Sequence, residues 1–345
     1  MRVAGIDLLR GIAAFGIVGC HLSLAPRTAG GEWVTVLCDC GVGVFAAIAG
    51  WLMGRGGHKE HREHREYRGM AEGLGYAGRR AKRLLPTYFF WSGVFIAATC
   101  AFDLILDGGR LNPKYGTVGF WIRVIFLGDA STHLWFLPCL LYAQVVMKAL
   151  EWVAARTECG PYRVGVPCLG LGLGLCAISC WLGNWFGTYP LRLFAFLVTG
   201  YGLGRMEVKL PRAWAGGLTV AGLVAFVSLD GVVPAFVRGW FVTVPLLGFF
   251  AALEWNGFSH REHKEHREGW GWRDWGMAEV LGATSMGVYL VHPLVTRALS
   301  VVWARVFGAP YGAMAVVGEW VLAWGVALAA AMVLLRVPWA RRFVR

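Results

Sequence analysis

Charge is what this chain has least of: Asp, Glu, Lys and Arg make up 16% of its 345 residues, against about 25% in a soluble domain. That shortage excludes a disordered chain, which stays solvated through high charge and few aromatics. An ordinary water-soluble fold is excluded too. Hydrophobic residues reach 57%, with 18 Trp and 20 Phe, more apolar ring surface than one soluble core covers without leaving a patch. Cysteine patterns are missing as well. None of the nine Cys forms a CxxC pair, and Cys20, Cys100, Cys168, Cys176 and Cys180 stand inside apolar runs, where a thiol behaves as a small hydrophobe. A secreted disulfide scaffold is thereby excluded, and no metal site is expected. No GxSxG elbow surrounds Ser285, so it reads as a packing residue and not as a hydrolase nucleophile.

What is present fits a membrane. Mean hydropathy is +0.53, and about ten apolar segments approach the roughly 20 residues that cross a bilayer at about 1.5 Å per residue. They lie near 6–24, 33–53, 84–104, 133–153, 164–182, 190–206, 213–229, 235–255, 276–300 and 313–336. The expected fold is an all-α polytopic membrane protein of about ten transmembrane helices. The formal net charge of +12 is unevenly placed. With the amino terminus inside, the cytoplasmic stretches hold 25 of the 33 Lys and Arg; the other side holds eight, namely Arg27, Arg110, Lys114, Arg123, Arg192, Arg238, Arg297 and Arg305. This is the positive-inside pattern, so both termini are expected to be cytoplasmic and the charge calls for no nucleic acid. Arg2 and Arg10 followed by an apolar run ending in Ser23, Leu24 and Ala25 also fit a cleaved signal peptide, a rival that composition leaves open.

Two polar tracts interrupt this texture, HKEHREHRE at 58–66 and HREHKEHRE at 260–268, and they contain six of the nine His. A His-rich stretch invites a metal reading. Against it, every His stands beside a fixed cation, Glu balances the charge, and a three-residue period sets up no ligand pair four apart on a helix. The tracts are expected to be solvated cytoplasmic linkers.

The three His left are His21, His133 and His292, each in or beside an apolar segment. Intramembrane ionisable groups are costly, so each is a functional candidate, with a hydrogen-bonded structural His as the alternative. Arg10 and His21 are eleven residues apart, about 16 Å along a helix and close to three turns, so they project from nearly one face of the first span. An Arg and a His on one face point to a polar path through the bundle.

On these residues the chain resembles the acyltransferase-3 family of integral membrane acyltransferases. The first span carries that family's LRGIAA start with a His at this distance. GRRAKRLLPTYFF at 78–90 resembles the Arg-rich start of its third span, with Arg79, Arg80, Arg83, Pro86 and Tyr88 in place. RLFAFLVTGYGLGR at 192–205 resembles its sixth span, HLWFL at 133–137 its HLWFL-type segment, and SMGVYLVHP at 285–293 its SYGIYLIHP-type ninth span. Motifs in order over nearly the whole chain favour a retained first helix over a signal peptide. They also imply one membrane domain over 1–345 with the tracts at 58–66 and 260–268. The second span departs from the family. An acidic residue expected after Gly-Val is absent from Gly41, Val42, Gly43, Val44, Phe45 and Ala46, and Asp39 is the nearest substitute. With RVPWARRFVR after the tenth span, a stand-alone membrane module is expected, in contrast to family forms fused to an SGNH-type domain.

The resemblance implies transfer of an acyl group, acetyl above all, from acyl-CoA as co-substrate to a hydroxyl of a carbohydrate or other cell-envelope acceptor. The enzyme would sit in the cytoplasmic (inner) membrane as a multi-pass protein, with the bilayer as its other partner and no bound cofactor. His21 is the expected catalytic residue, with Arg10 on the same face, because an imidazole takes a hydroxyl proton near neutral pH for about 10²–10⁴-fold in rate. Covalent acyl acceptance by the same His remains open at this point. Arg80 and Arg83, three apart on one face, are expected to hold the donor's phosphates bidentately, whereas Arg79 and Lys82 read as topology signals. His133 and Trp135 are expected to line the acceptor cavity, with an interfacial anchor as the alternative for both, and Tyr289 and His292 would hydrogen-bond in it. A carrier of an amphipathic solute is the competing class, since polar intramembrane residues and Gly-rich helices suit one, although no repeat relates the two halves.

Overall fold

The computed structural model describes residues 4–22, 38, 40–63, 70–106, 112–127, 130, 134–156, 161–182, 188–206, 211–229, 235–253, 276–306 and 313–344. Among them the chain is helical throughout, without a strand. In order come α1 (Ala4–Cys20), α2 (Gly41–Glu63), α3 (Met70–Leu106), a 3₁₀ turn at Pro113–Gly116, α4 (Val118–Leu127) and α5 (Phe136–Arg156). After them come α6 (Pro161–Trp181), α7 (Thr188–Met206), α8 (Arg212–Ser228), α9 (Ala235–Leu253), α10 (Met277–Val306), α11 (Ala313–Arg336) and the short α12 (Pro338–Arg341). Four stretches among the described residues, Ala81–Ile105, Tyr162–Trp181, Met277–Trp303 and Met314–Arg336, are long and apolar enough to cross a bilayer, and shorter apolar helices accompany them. Their outward faces carry large apolar side chains: Trp181 is 85% exposed and Ile105 75%. Such surface is stable against lipid tails and not against water.

Three boundaries differ from the sequence expectation. Helix α3 starts at Met70, well before the apolar run near 84, so the Arg-rich stretch lies inside a 37-residue helix and not at a helix start. Ala, Leu, Met, Lys and Arg are strong helix formers, and they continue the apolar helix backwards through polar sequence. Helix α2 also continues through Glu63, so residues 58–63 of the first tract, expected as a solvated linker, are helical; the second tract lies outside the described residues. The third difference is α4, only 10 residues long, too short to register as a bilayer-length run.

Close packing rests on small residues. Helices α2 and α7 each carry a Gly-x-x-x-Gly pair, Gly50 with Gly54 and Gly200 with Gly204. A Cβ at Gly50 would run into the Leu197 carbonyl, and one at Gly200 into the backbone of Ala47. The two backbones therefore touch, the arrangement by which small residues associate helices where lipid removes the hydrophobic drive. Helix α1 lies in the core against α2, α9, α10 and α11, with Leu9, Ile17 and Val18 buried. Asp7 meets Gly282 and His21 meets His292, so α1 and α10 run parallel.

Helix α3 runs the same way as α10. Just past its middle Trp91 donates to the Phe343 carbonyl at 2.9 Å, beside Val344, which packs on Gly287, and near its end Asp103 reaches Arg297. The starts of α1, α3 and α10 thus share one end of the bundle, and His21, Asp103 and Arg297 lie toward the other. Arg238, counted on the outer side in the sequence, is 3% exposed in the first turn of α9 and donates to the Phe226 carbonyl at 2.7 Å. That carbonyl lies in the last turn of α8, where no intrahelical donor remains.

Candidate active site

Helix α1 ends at Cys20, and His21 follows in a turn with its backbone N–H on the Val18 carbonyl at 3.1 Å. The half-buried imidazole projects into a cleft of about 400 Å³ bounded by α3, the 3₁₀ turn, α4 and α10. Its floor on α10 is the Pro293–Leu294 stretch, and its α3 wall includes Phe95, Thr99 and Phe102. Among the described residues, neither ring nitrogen of His21 is committed to a hydrogen bond.

His292 packs beside it, with ring centroids 5.1 Å apart and planes at 42°. It is wholly buried, and its Nδ1 lies 3.1 Å from the Val288 carbonyl oxygen. A carbonyl only accepts, so this contact places the ring proton of neutral His292 on Nδ1 and leaves Nε2 as the acceptor. Pro293 follows inside the helix and lacks the N–H that would bond the Tyr289 carbonyl; the His292 ring also interacts with that backbone. Tyr289, buried, has ring contacts to Phe136 at 5.3 Å, to Phe45 at 6.2 Å and to His292 at 6.1 Å. These contacts tie α10 to α2 and α5. The structure thus brings His21 into one cluster with Tyr289 and His292, which lie close to each other but far from His21 in sequence.

The other expected site residues are dispersed. Arg10 bonds Asp7 at 3.5 Å, away from the residues that line the cleft. Asp7 is 6% exposed and had no part in the sequence reading. Arg83 is exposed on α3, at the end of the bundle opposite the cleft; from it to Phe95 the helix rises about 18 Å. The side chain of Arg80, His133 and Asp39 lie outside the described residues. Trp135 is half-buried, set edge-on against Phe136 at 6.4 Å, and packs on the core. Ser285 is buried with its hydroxyl on the Gly282 carbonyl at 2.8 Å, the packing role expected of it.

Sequence reasoning missed the mouth of the cleft. The Asp103 carboxylate accepts from the Tyr115 hydroxyl at 3.4 Å and pairs with Arg297 at 3.7 Å. The Tyr115 hydroxyl is pushed up to about 12 by burial and by the Asp103 carboxylate beside it, so the phenol keeps its proton and donates. The only hint in the sequence was an acidic residue near the end of an apolar run.

A helical bundle with bilayer-length apolar faces and an imidazole at the base of a polar cleft has the build of an integral membrane enzyme. The family model for the acyltransferase domain Acyl_transf_3 matches residues 3–336, so the chain belongs to the acyltransferase-3 family and is an acyltransferase of the membrane. That membership decides against the carrier reading. No curated protein and no solved structure matches the chain.

Proposed function

We propose that the protein moves an acyl group, acetyl in the simplest case, from acyl-CoA to a hydroxyl of a carbohydrate or other cell-envelope acceptor at the cytoplasmic membrane. The observation that carries this reading is His21: an imidazole in a cleft, beside a second buried imidazole, with no ring nitrogen engaged among the described residues. In the reaction the acceptor hydroxyl attacks the thioester carbonyl. An O–C bond forms, the C–S bond breaks, and the hydroxyl proton passes to His21 and then to the departing thiolate. The imidazolium formed on the way sits past the last turn of α1, where the helix carbonyls present partial negative charge. His292 covers one side of that ring and is itself backed by Tyr289 and Phe136.

Donor phosphates belong at the opposite end, with Arg83 and Arg80 on α3. The starts of α1 and α3 share that end, so Arg10 stands on the donor side, held by Asp7. The acyl group then has to reach from the arginines to His21, about 18 Å along α3. A long flexible thioester arm suits this better than a compact donor, and it lets a cytosolic donor serve an acceptor across the bilayer. Purified enzyme in lipid nanodiscs with acetyl-labelled acetyl-CoA and envelope glycan tests the reading. Label should leave the thioester for an ester on the glycan; label that stays on CoA with every glycan offered refutes it.

A further inference from the structure

Acyl transfer alone gives no reason for the charge at the mouth of the cleft. Lys114 and Arg297 both line it, on the 3₁₀ turn and on α10. Asp103 is the carboxylate that answers them, and it is covered, with its side chain 12% exposed against 43% for Arg297. One face of the guanidinium lies over the Phe102 ring at 4.8 Å, its Nη2 meets Asp103, and the residue lines the cleft. Lys114 is exposed, its ammonium 5.3 Å from the Tyr115 ring and 5.7 Å from the Phe120 ring, and among the described residues no carboxylate pairs with it. Among the described residues, two cations against one covered carboxylate give the cleft a net positive charge. Its aromatic walls, of low dielectric beside water, concentrate that potential inward. A neutral acceptor would take only hydrogen bonds from these cations, whereas an anionic one adds ion pairing, and a structural clasp needs Arg297 and Asp103 but not Lys114.

We infer that the acceptor carries an anionic group, a carboxylate or a phosphate, which Lys114 and Arg297 hold while its hydroxyl faces His21. Only the role given to the hydroxyl rests on the proposed acyl transfer. Binding of the anion does not need the donor, so the two readings fail separately.

The test is equilibrium dialysis of the full chain in phosphatidylcholine nanodiscs without acyl-CoA. The labelled probes are methyl glucuronide, glucose 1-phosphate and the neutral methyl glucoside. At least one charged probe should bind about tenfold or more tightly than the neutral one, and the better of the two identifies carboxylate or phosphate. Lys114→Gln and Arg297→Gln should each weaken the charged probe by about twofold to fivefold, the worth of a solvent-exposed ion pair, and leave the glucoside unchanged. Asp103→Asn keeps an acceptor for Tyr115 while removing the counter-charge, so it should tighten anion binding. Equal binding of charged and neutral probes overturns the inference, as does the absence of saturable binding by either charged probe. So does an anion preference left unchanged by Lys114→Gln, a change at an exposed side chain that leaves the fold intact.

Discussion

Replacing Gly200 with Ala tests whether contact between the α2 and α7 backbones holds this bundle together. A Cβ there would lie 2.8 Å from the Ala47 Cα and 2.6 Å from its carbonyl carbon, both backbone atoms with no rotamer to move aside. The helices must separate, and α2 cannot shift freely because Gly50 and Gly54 meet α7 in the same way one turn apart. Overpacking of this kind costs about 1–3 kcal/mol. The change also removes a helical glycine, which returns about 0.5–1 kcal/mol, for a net loss of about 1–2 kcal/mol. Gly174→Ala is the matched control: it lies inside α6, is exposed, and a Cβ there meets nothing within 4 Å. It should stabilise by about 0.5–1 kcal/mol, so the two variants differ in sign. Reversible unfolding in mixed micelles, followed by the fluorescence of the Trp residues, measures both. A Gly200→Ala enzyme as stable as the Gly174→Ala enzyme would refute the account of the crossing.

Arg80→Lys and Arg83→Lys preserve charge but lose the planar fork, so each should raise the apparent KM for acyl-CoA severalfold with kcat little changed; an unchanged donor KM in both returns the arginines to topology. Reporter fusions after residue 268 and after Arg345 should signal cytoplasm, and one near Gly109 the outside, and an external signal at 268 contradicts the orientation read from the charges. Substituting a Gly/Ser linker for 260–268 should leave specific activity within a few-fold, whereas a loss restored by zinc would reveal a metal-binding role for the tract.

The helices were most legible where an apolar run ends abruptly in polar sequence. The run read near 313–336 is α11 at Ala313–Arg336, and that near 164–182 is α6 at Pro161–Trp181. Hydropathy could not find the polar starts of α3 or the shortness of α4, because neither changes the apolar signal over a bilayer-length window. Within the site, His21 and His292 were legible as rare ionisable groups in apolar surroundings, but their contact was not, since it depends on the parallel packing of α1 and α10. Asp103, Tyr115 and Arg297 escaped for a related reason. Each is unremarkable at the end of its own element and acquires a role only where α3, the 3₁₀ turn and α10 converge.

The central claim is that His21 takes up a proton in acyl transfer, and comparing His21→Ala with His21→Gln tests it most directly. Glutamine retains hydrogen-bonding capacity at nearly the same size but cannot accept a proton at neutral pH. If the imidazole acts as base, both variants should reach normal abundance in the membrane and still bind acyl-CoA, and both should lose transfer by about 10²-fold or more. Transfer by the Gln variant within a few-fold of the parent enzyme would contradict the claim and leave His21 a structural neighbour of His292.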